Sequence, residues 1–218
     1  MPGAAQYDYA RAHNWGDHNY GVNFKDYAWM EDVYWTYRAY LNFTLEGNET
    51  AVMVFKGIDY EYDVLVDGTL LYSYEGMFAP AYIDVSKYTG GSHELTVRIH
   101  PIPKATDTVD RSQARMSAKP AACYEWDWHP RLASVGIWDE AYLMIQHRCS
   151  VRHVDVSYEL SDTLDEACVT VEAQRNADCA IKVSILDGKT VVASAESIDG
   201  KTELTVKTPK LWNPVGYG

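Results

Sequence analysis

Hydrophobic and polar positions alternate with period two along much of the chain. Between Tyr34 and Leu45, Trp35, Tyr37, Ala39, Leu41, Phe43 and Leu45 share one face. Thr36, Arg38, Tyr40, Asn42 and Thr44 take the other, the pattern of a half-buried strand. Tyr62, Val64 and Val66 alternate with Glu61, Asp63 and Leu65, and Asp67-Gly68 then supplies a hairpin turn into a partner strand, Thr69–Tyr74. Leu95, Val97 and Ile99 alternate with Glu94, Thr96 and Arg98, and Ala141, Leu143 and Ile145 repeat the pattern. No stretch of ten or more residues keeps an apolar repeat of 3.6 free of breakers, so the expected fold class is all-β.

A change of texture near His147–Arg152 predicts a domain boundary, giving domains of 1–147 and 148–218. Six of the seven Trp and 15 of the 17 Tyr lie before it. After it come plainer strands at Val151–Tyr158, Ala167–Ala173, Ala180–Leu186, Thr190–Ala195 and Glu203–Val206, with connections at Asp187-Gly188 and Asp199-Gly200. Short strands at such spacing fit an immunoglobulin-like sandwich. About 70 residues is less than the ~100 such a domain usually takes, so the second domain is expected to be truncated.

Composition narrows the partners. With 31 acidic against 19 basic residues the 218-residue chain carries −12, which argues against nucleic acid and anionic membranes because both need a basic face. The apolar runs are far shorter than the ~20 residues that span a bilayer. Seventeen Tyr and seven Trp against four Phe is an excess of rings with a polar handle, suited to polar ligands or to half-buried sheet faces.

The N-terminus lacks a basic region followed by an apolar stretch, so no signal peptide is expected. Cys123, Cys149, Cys168 and Cys179 form no CxxC pair and no zinc ladder. A hairpin would let Cys168 and Cys179 face each other, but free buried thiols in a reduced cytoplasm are the expected state. Asn42-Phe43-Thr44 and Asn48-Glu49-Thr50 fit the glycosylation sequon, which matters only in a eukaryotic secretory pathway.

Phosphate loops, GxGxxG, GxSxG and HExxH are all missing from the sequence, so no cofactor or metal is expected. His13 and His18 flank Asp17 in what reads as a solvated loop rather than a metal site. The segment Cys123-Tyr124-Glu125-Trp126-Asp127-Trp128-His129-Pro130-Arg131 is the chemical exception. Its charges would be costly in a core strand. As a loop it offers flat apolar faces beside carboxylates, the pairing that sugar rings need. Equally, one Trp could plug the core while Asp127 caps a turn and pairs with Arg131. Glu125 and Asp127 make a poor glycosidase dyad: in extended chain they sit ~6.6 Å apart on one side of a sugar instead of flanking its bond.

Several stretches resemble the N-terminal part of glycoside hydrolase family 2, the β-mannosidase and β-galactosidase group. Trp35-Thr36-Tyr37-Arg38-Ala39-Tyr40-Leu41 is similar to a Trp-x-Tyr-Arg strand. Phe55-Lys56-Gly57-Ile58-Asp59-Tyr60, Val64-Leu65-Val66-Asp67-Gly68, Phe78-Ala79-Pro80 through Asp84-Val85, and Glu94 to Arg98 look like the sugar-binding-domain landmarks, with Asp67 and His93-Glu94 at usual Asn positions. Trp126-Asp127-Trp128-His129-Pro130-Arg131 followed by Gly136-Ile137-Trp138 resembles the mannosidase-branch W-D-W-G-P-R…G-I-W, with His129 where Gly is commoner. Leu211-Trp212-Asn213-Pro214-Val215-Gly216-Tyr217-Gly218 is similar to the end of the family's first immunoglobulin-like domain.

The resemblance implies a galactose-binding-like jelly roll followed by an immunoglobulin-like sandwich. Both would be accessory to a TIM barrel that holds the catalytic glutamates and is missing here, so this chain alone should hydrolyse nothing. It implies a carbohydrate substrate, with Trp126 as a wall, Asp127 as acceptor of sugar hydroxyls and Arg131 as a brace paired with an acid. Lys119 is a further contact, and Trp128 packs. The alternative expectation is a free-standing carbohydrate-binding module.

Overall fold

The computed structural model describes residues 2–147 and 149–217; Met1, Arg148 and Gly218, at the expected domain limits, lie outside the described residues. The chain divides into two compact units, one up to Ile145 and one from Gln146 onward.

The first unit carries β1 (Trp35–Leu41), β2 (Thr50–Phe55), β3 (Ile58–Asp59), β4 (Glu61–Val66), β5 (Thr69–Glu75), β6 (Ala81–Asp84), β7 (His93–Ile99), β8 (Gly136–Ile137) and β9 (Ala141–Gln146). Antiparallel pairing gives a four-stranded sheet in the order β1-β7-β4-β5, a three-stranded sheet β6-β2-β9 and the short pair β3-β8. Met53 and Phe55, Ala81 and Ile83 from one sheet meet Tyr62, Val64 and Val66, Leu95, Val97 and Ile99 from the other in a single core, a jelly-roll sandwich. At the β4–β5 hairpin Asp67 and Gly68 both take positive φ (49° and 74°), so the sequence's turn dipeptide adopts the geometry that a two-residue turn between twisted strands requires. β1 is shorter than the alternation predicts. It ends at Leu41, and Phe43 and Leu45 reach the core from irregular chain instead.

Two segments carry no period-two signal. Ala5–Ala12 is an α-helix too short for a resolvable periodicity, docked by Gln6, whose Nε2 donates to the Ala133 carbonyl and whose Oε1 accepts from Val135 N–H. Asn23–Asp32 is a run of 3-10 turns that buries Tyr27, Met30 and Glu31. Ahead of the helix, Gly3 N–H donates to the Ile137 carbonyl and Ala5 N–H to that of Val135. A Cβ at Gly136 would lie 2.7 Å from the Gly3 carbonyl oxygen, so a side chain there would block this pairing.

The second unit contains β10 (Val151–Leu160), β11 (Glu166–Arg175), β12 (Ile181–Asp187), β13 (Thr190–Ser197) and β14 (Lys201–Lys207). These form a β10-β11-β14 sheet and a β12-β13 hairpin, an immunoglobulin-like sandwich with a sparse core of Ala167, Val171 and Leu204. Between its two sheets lies an apolar cleft of about 980 Å3 lined by Val156, Leu160, Val169, Ile185 and Val206. Cys149 is disulfide-bonded to Cys179, with their Cα atoms 6.3 Å apart. This corrects the thiol expectation: only Cys123 and Cys168 are free, Cys168 is exposed, and it does not face Cys179. The bond joins the entry to β10 with the β11–β12 connection, two places whose proximity only the fold reveals. Among the described residues no helix is long and apolar enough to cross a membrane.

Candidate functional site

The Trp-Asp-Trp segment folds as a tight turn. His129 N–H donates to the Trp126 carbonyl (3.0 Å) and Trp126 N–H to that of His129 (3.2 Å), which puts Asp127 and Trp128 at the tip. Immediately before it, Glu125 has φ 122°, a region that L side chains rarely adopt. Tyr124 is the residue that plugs the core: it is fully buried, and its hydroxyl donates to the Pro103 carbonyl. Neither Trp does so. Trp126 is 36% exposed and Trp128 82%, which overturns the packing role expected for Trp128. Their rings stand nearly perpendicular at 81°, with centroids 6.5 Å apart.

One face of Trp126 is covered. The Arg111 guanidinium lies 4.3 Å from its ring centroid, a cation–π contact that holds the indole in place. Arg111 comes from a 3-10 turn 15 residues earlier, and nothing in its polar surroundings marks it in the sequence. The Asp127 carboxylate makes no hydrogen bond or ion pair with any described residue, so it does not pair with Arg131. A fixed ring and a free acceptor thus sit side by side at an exposed tip, the combination that can pack against the C–H face of a pyranose and accept its hydroxyls.

Arg131 braces the turn from below. Its Nε and Nη2 donate to the two carboxylate oxygens of Glu31 (3.1 and 2.7 Å), and its Nη1 donates to the Tyr124 carbonyl at the base of the turn (3.1 Å). Glu31 is buried and also accepts from Lys104. The expected acid partner exists, but it comes from a segment 100 residues away.

Lys119 sits elsewhere. Its side chain is fully enclosed, its ammonium held by both carboxylate oxygens of Asp59 (2.5 Å each) and by the Ser134 carbonyl (2.8 Å). Burial raises the Asp59 carboxyl, and the Lys119 charge and hydrogen bond offset only part of that rise. The contact role expected for Lys119 fails for a physical reason: all its donors point into this buried pair and none reaches solvent. Of the four expected residues, the structure brings together Trp126, Asp127 and Arg131 and leaves Lys119 as a strut. His18 is another correction. The loop is solvated at His13, Asp17 and Asn19, but the His18 ring itself is buried, its nitrogen 2.9 Å from the Tyr7 hydroxyl. Among the described residues no group of His, Cys, Asp or Glu is arranged to hold a metal.

Comparison with known proteins adds kinship to this geometry. The sequence profile described as Glycosyl hydrolase 2 galactose-binding domain-like matches residues 1–139. Beta-mannosidase B of Emericella nidulans is 26% identical over 224 residues, covering 91% of this chain and 26% of that protein. Beta-mannosidase B of Aspergillus flavus is 28% identical over 225 residues, with the same coverage of each. The chain therefore spans about a quarter of the length of these curated relatives. Among solved structures, a β-D-mannosidase from Dictyoglomus thermophilum superposes on all of this chain and 30% of its own, with a TM-score of 0.79 at 23% identity, a likeness of fold. A β-glucuronidase from Ruminococcus gnavus matches 82% of this chain with a TM-score of 0.62.

Proposed function

The chain belongs to the Glycosyl hydrolase 2 galactose-binding domain-like family, and from that premise we propose that it supplies the non-catalytic N-terminal β-domains of a retaining exo-β-glycosidase of β-mannosidase type. The sugar-binding jelly roll takes residues up to 147 and the immunoglobulin-like domain those from 148. The nucleophile and the acid/base carboxylate, about 5–5.5 Å apart in a retaining enzyme, belong to a TIM barrel that is not among these residues. The observation that carries the reading is the braced turn: Asp127, free of protein partners, stands beside the clamped indole of Trp126. Asp127 accepts hydroxyls of the terminal sugar, Trp126 walls its apolar face, and Arg131 acts as a positioning residue by tying the turn to Glu31. Lys119 takes no part in sugar contact.

The Cys149–Cys179 bond favours an oxidising compartment over the reduced cytoplasm that a set of free thiols would fit.

The test is hydrolysis of aryl β-mannosides and β-galactosides by the whole protein encoded by the gene. Asp127→Asn is expected to lower kcat/KM by roughly tenfold to a hundredfold, the worth of one or two hydrogen bonds to a charged group. Trp126→Ala acts in the same direction. Unchanged kinetics in both variants would remove the turn from the site. If the whole protein hydrolyses nothing but the chain binds sugars saturably through Trp126, it is a free-standing carbohydrate-binding module.

A further inference from the structure

The N-terminal segment ahead of β1 builds a second concave surface that shares no residue with the Trp126 turn. It is an open cleft of about 680 Å3 whose walls include Trp15, Trp29, Tyr27, Asn23, Lys25 and Asp26. Tyr9 lies behind the walls and fixes them. Its ring makes edge contacts with Trp15 and Trp29, each at 5.5 Å between centroids, and with Trp35 at 5.7 Å, while Tyr27 meets Trp15 edge-on at 5.2 Å. The two indoles are therefore held platforms, and Trp29 is 44% exposed.

The polar atoms of the cleft divide sharply into used and unused. Where tryptophan serves packing in this domain, its indole N–H is satisfied: Trp35 donates to the Met30 carbonyl and Trp138 to that of Met77. The indole N–H groups of Trp15 and Trp29 find no acceptor among the described residues. The side chains of Lys25 and Asp26 likewise make no hydrogen bond or ion pair with any of them. Asn23 Nδ2 donates to the Asp17 carbonyl (2.8 Å), which leaves its amide oxygen unused, and the Tyr27 hydroxyl is taken up by the Gly16 carbonyl (3.2 Å). The cleft thus offers two ring faces, two N–H donors, an ammonium, a carboxylate and an amide oxygen.

That inventory selects a ligand class. An anion would meet Asp26 and a cation would meet Lys25. A purely apolar guest would use the two rings and leave the five polar groups to water, so nothing in the cleft would select it. A neutral pyranose has C–H faces for the indoles and hydroxyls that donate to Asp26 and Asn23 while accepting from Lys25 and the indole N–H groups. The cleft of the second unit also has two rings, Tyr158 and Trp212, but most of its lining is Val, Leu and Ile, and its charged groups are already paired, Lys210 with Asp187 and Lys207 with Glu166. We propose that the Trp15–Trp29 cleft is a binding site for neutral oligosaccharides, engaging one or two sugar rings. It does not depend on the Trp126 turn being a sugar contact.

The experiment titrates the 218-residue chain with mannotriose, cellotriose and xylotriose, with trigalacturonate and choline as charged controls. The readout is the tryptophan indole N–H resonances in 15N-resolved NMR, with Trp15 and Trp29 assigned through Trp→Phe substitutions. At least one neutral trisaccharide is expected to shift both resonances saturably. Asp26→Ala, a surface change that should leave the fold intact, is expected to weaken that binding about tenfold, the loss of about 1.4 kcal/mol. Trp126→Ala should leave it unchanged. Three results would overturn the proposal: fixed Trp15 and Trp29 resonances with every neutral trisaccharide, shifts that Trp126→Ala abolishes, or a preference for a charged control. Because Trp126→Ala is read separately, failure here leaves the reading of the turn standing, and the reverse also holds.

Discussion

Arg131 holds Glu31 through both carboxylate oxygens across 100 residues of chain, and the same guanidinium reaches the Tyr124 carbonyl at the root of the exposed turn. Replacing Arg131 with Met keeps most of its apolar volume and removes every donor. Glu31 retains Lys104, so the cost should be about 2 kcal/mol, the worth of one or two charged hydrogen bonds. For a unit of this size that is a melting point roughly 4–8 °C lower. Trp126 fluorescence anisotropy should fall as well, since its turn loses its anchor. A variant with an unchanged melting point and anisotropy would show that Arg131 does not brace the turn.

Gly57 is held to glycine by an indole. A Cβ placed on it would lie 2.7 Å from Trp138 Nε1, and Trp138 is pinned by its bonds to Met77 and Gly57 and by its edge contact with Phe78. Gly57→Ala is therefore expected to destabilise the first unit by about 1–3 kcal/mol, the usual cost of overpacking. Adding Trp138→Leu should recover part of the loss. Equal melting curves for Gly57→Ala and the parent would contradict this contact.

Two histidine–aspartate pairs act on stability with opposite signs. Burial raises the Asp63 carboxyl, but hydrogen bonds from Ser73, His100 and Arg98 outweigh it and bring it to about 2. Its folded value lies below the ordinary carboxylate range of about 3.9, so its contribution is present above that pH and is lost as pH falls toward 2. His93 is raised, first by its hydrogen bond to Asp67 and then by that to the Gly90 carbonyl. Its contribution is full below the unfolded value near 6.5 and is lost as pH rises through the folded one. Urea denaturation across pH 2–9 should show both slopes. Asp63→Asn should flatten the acid limb, and His93→Gln should flatten the limb above neutrality while also removing the part of the acid limb that comes from Asp67, whose carboxyl the His93 hydrogen bond lowers.

Alkylation should sort the four cysteines into three classes. Cys168, exposed on β11, reacts first. Cys123 reacts slowly because burial raises its thiol. Cys149 and Cys179 react only after reduction. Intact mass should therefore show two adducts on the unreduced, denatured chain and four after reduction. Four adducts without reductant would refute the pairing.

Period two made the sheets legible because one buried face per strand writes itself into alternate residues. Tyr62, Val64 and Val66, or Leu95, Val97 and Ile99, all point into the core as their spacing predicts. The Asp67-Gly68 turn was legible because few dipeptides tolerate two positive φ angles in succession. The site was legible only in part. Trp126 and Asp127 are local, and their chemistry is visible in the chain. The partners of Arg131 and Lys119 are not: Glu31 and Asp59 come from segments 100 and 60 residues away, and no local pattern says which charge a fold will bring to which. The helix Ala5–Ala12 spans about two turns, too few to set a 3.6-residue repeat apart from chance.

The Cys149–Cys179 bond encloses the whole β10–β11 hairpin, including the Ser161–Asp165 turn at its tip, in one covalent ring. A protease that cuts at that exposed turn opens the ring without dividing the molecule. The cleaved chain should run as one band on a non-reducing gel and as two on a reducing gel. It should also retain the antiparallel register from Val154↔Ala173 to Leu160↔Ala167 until reductant is added.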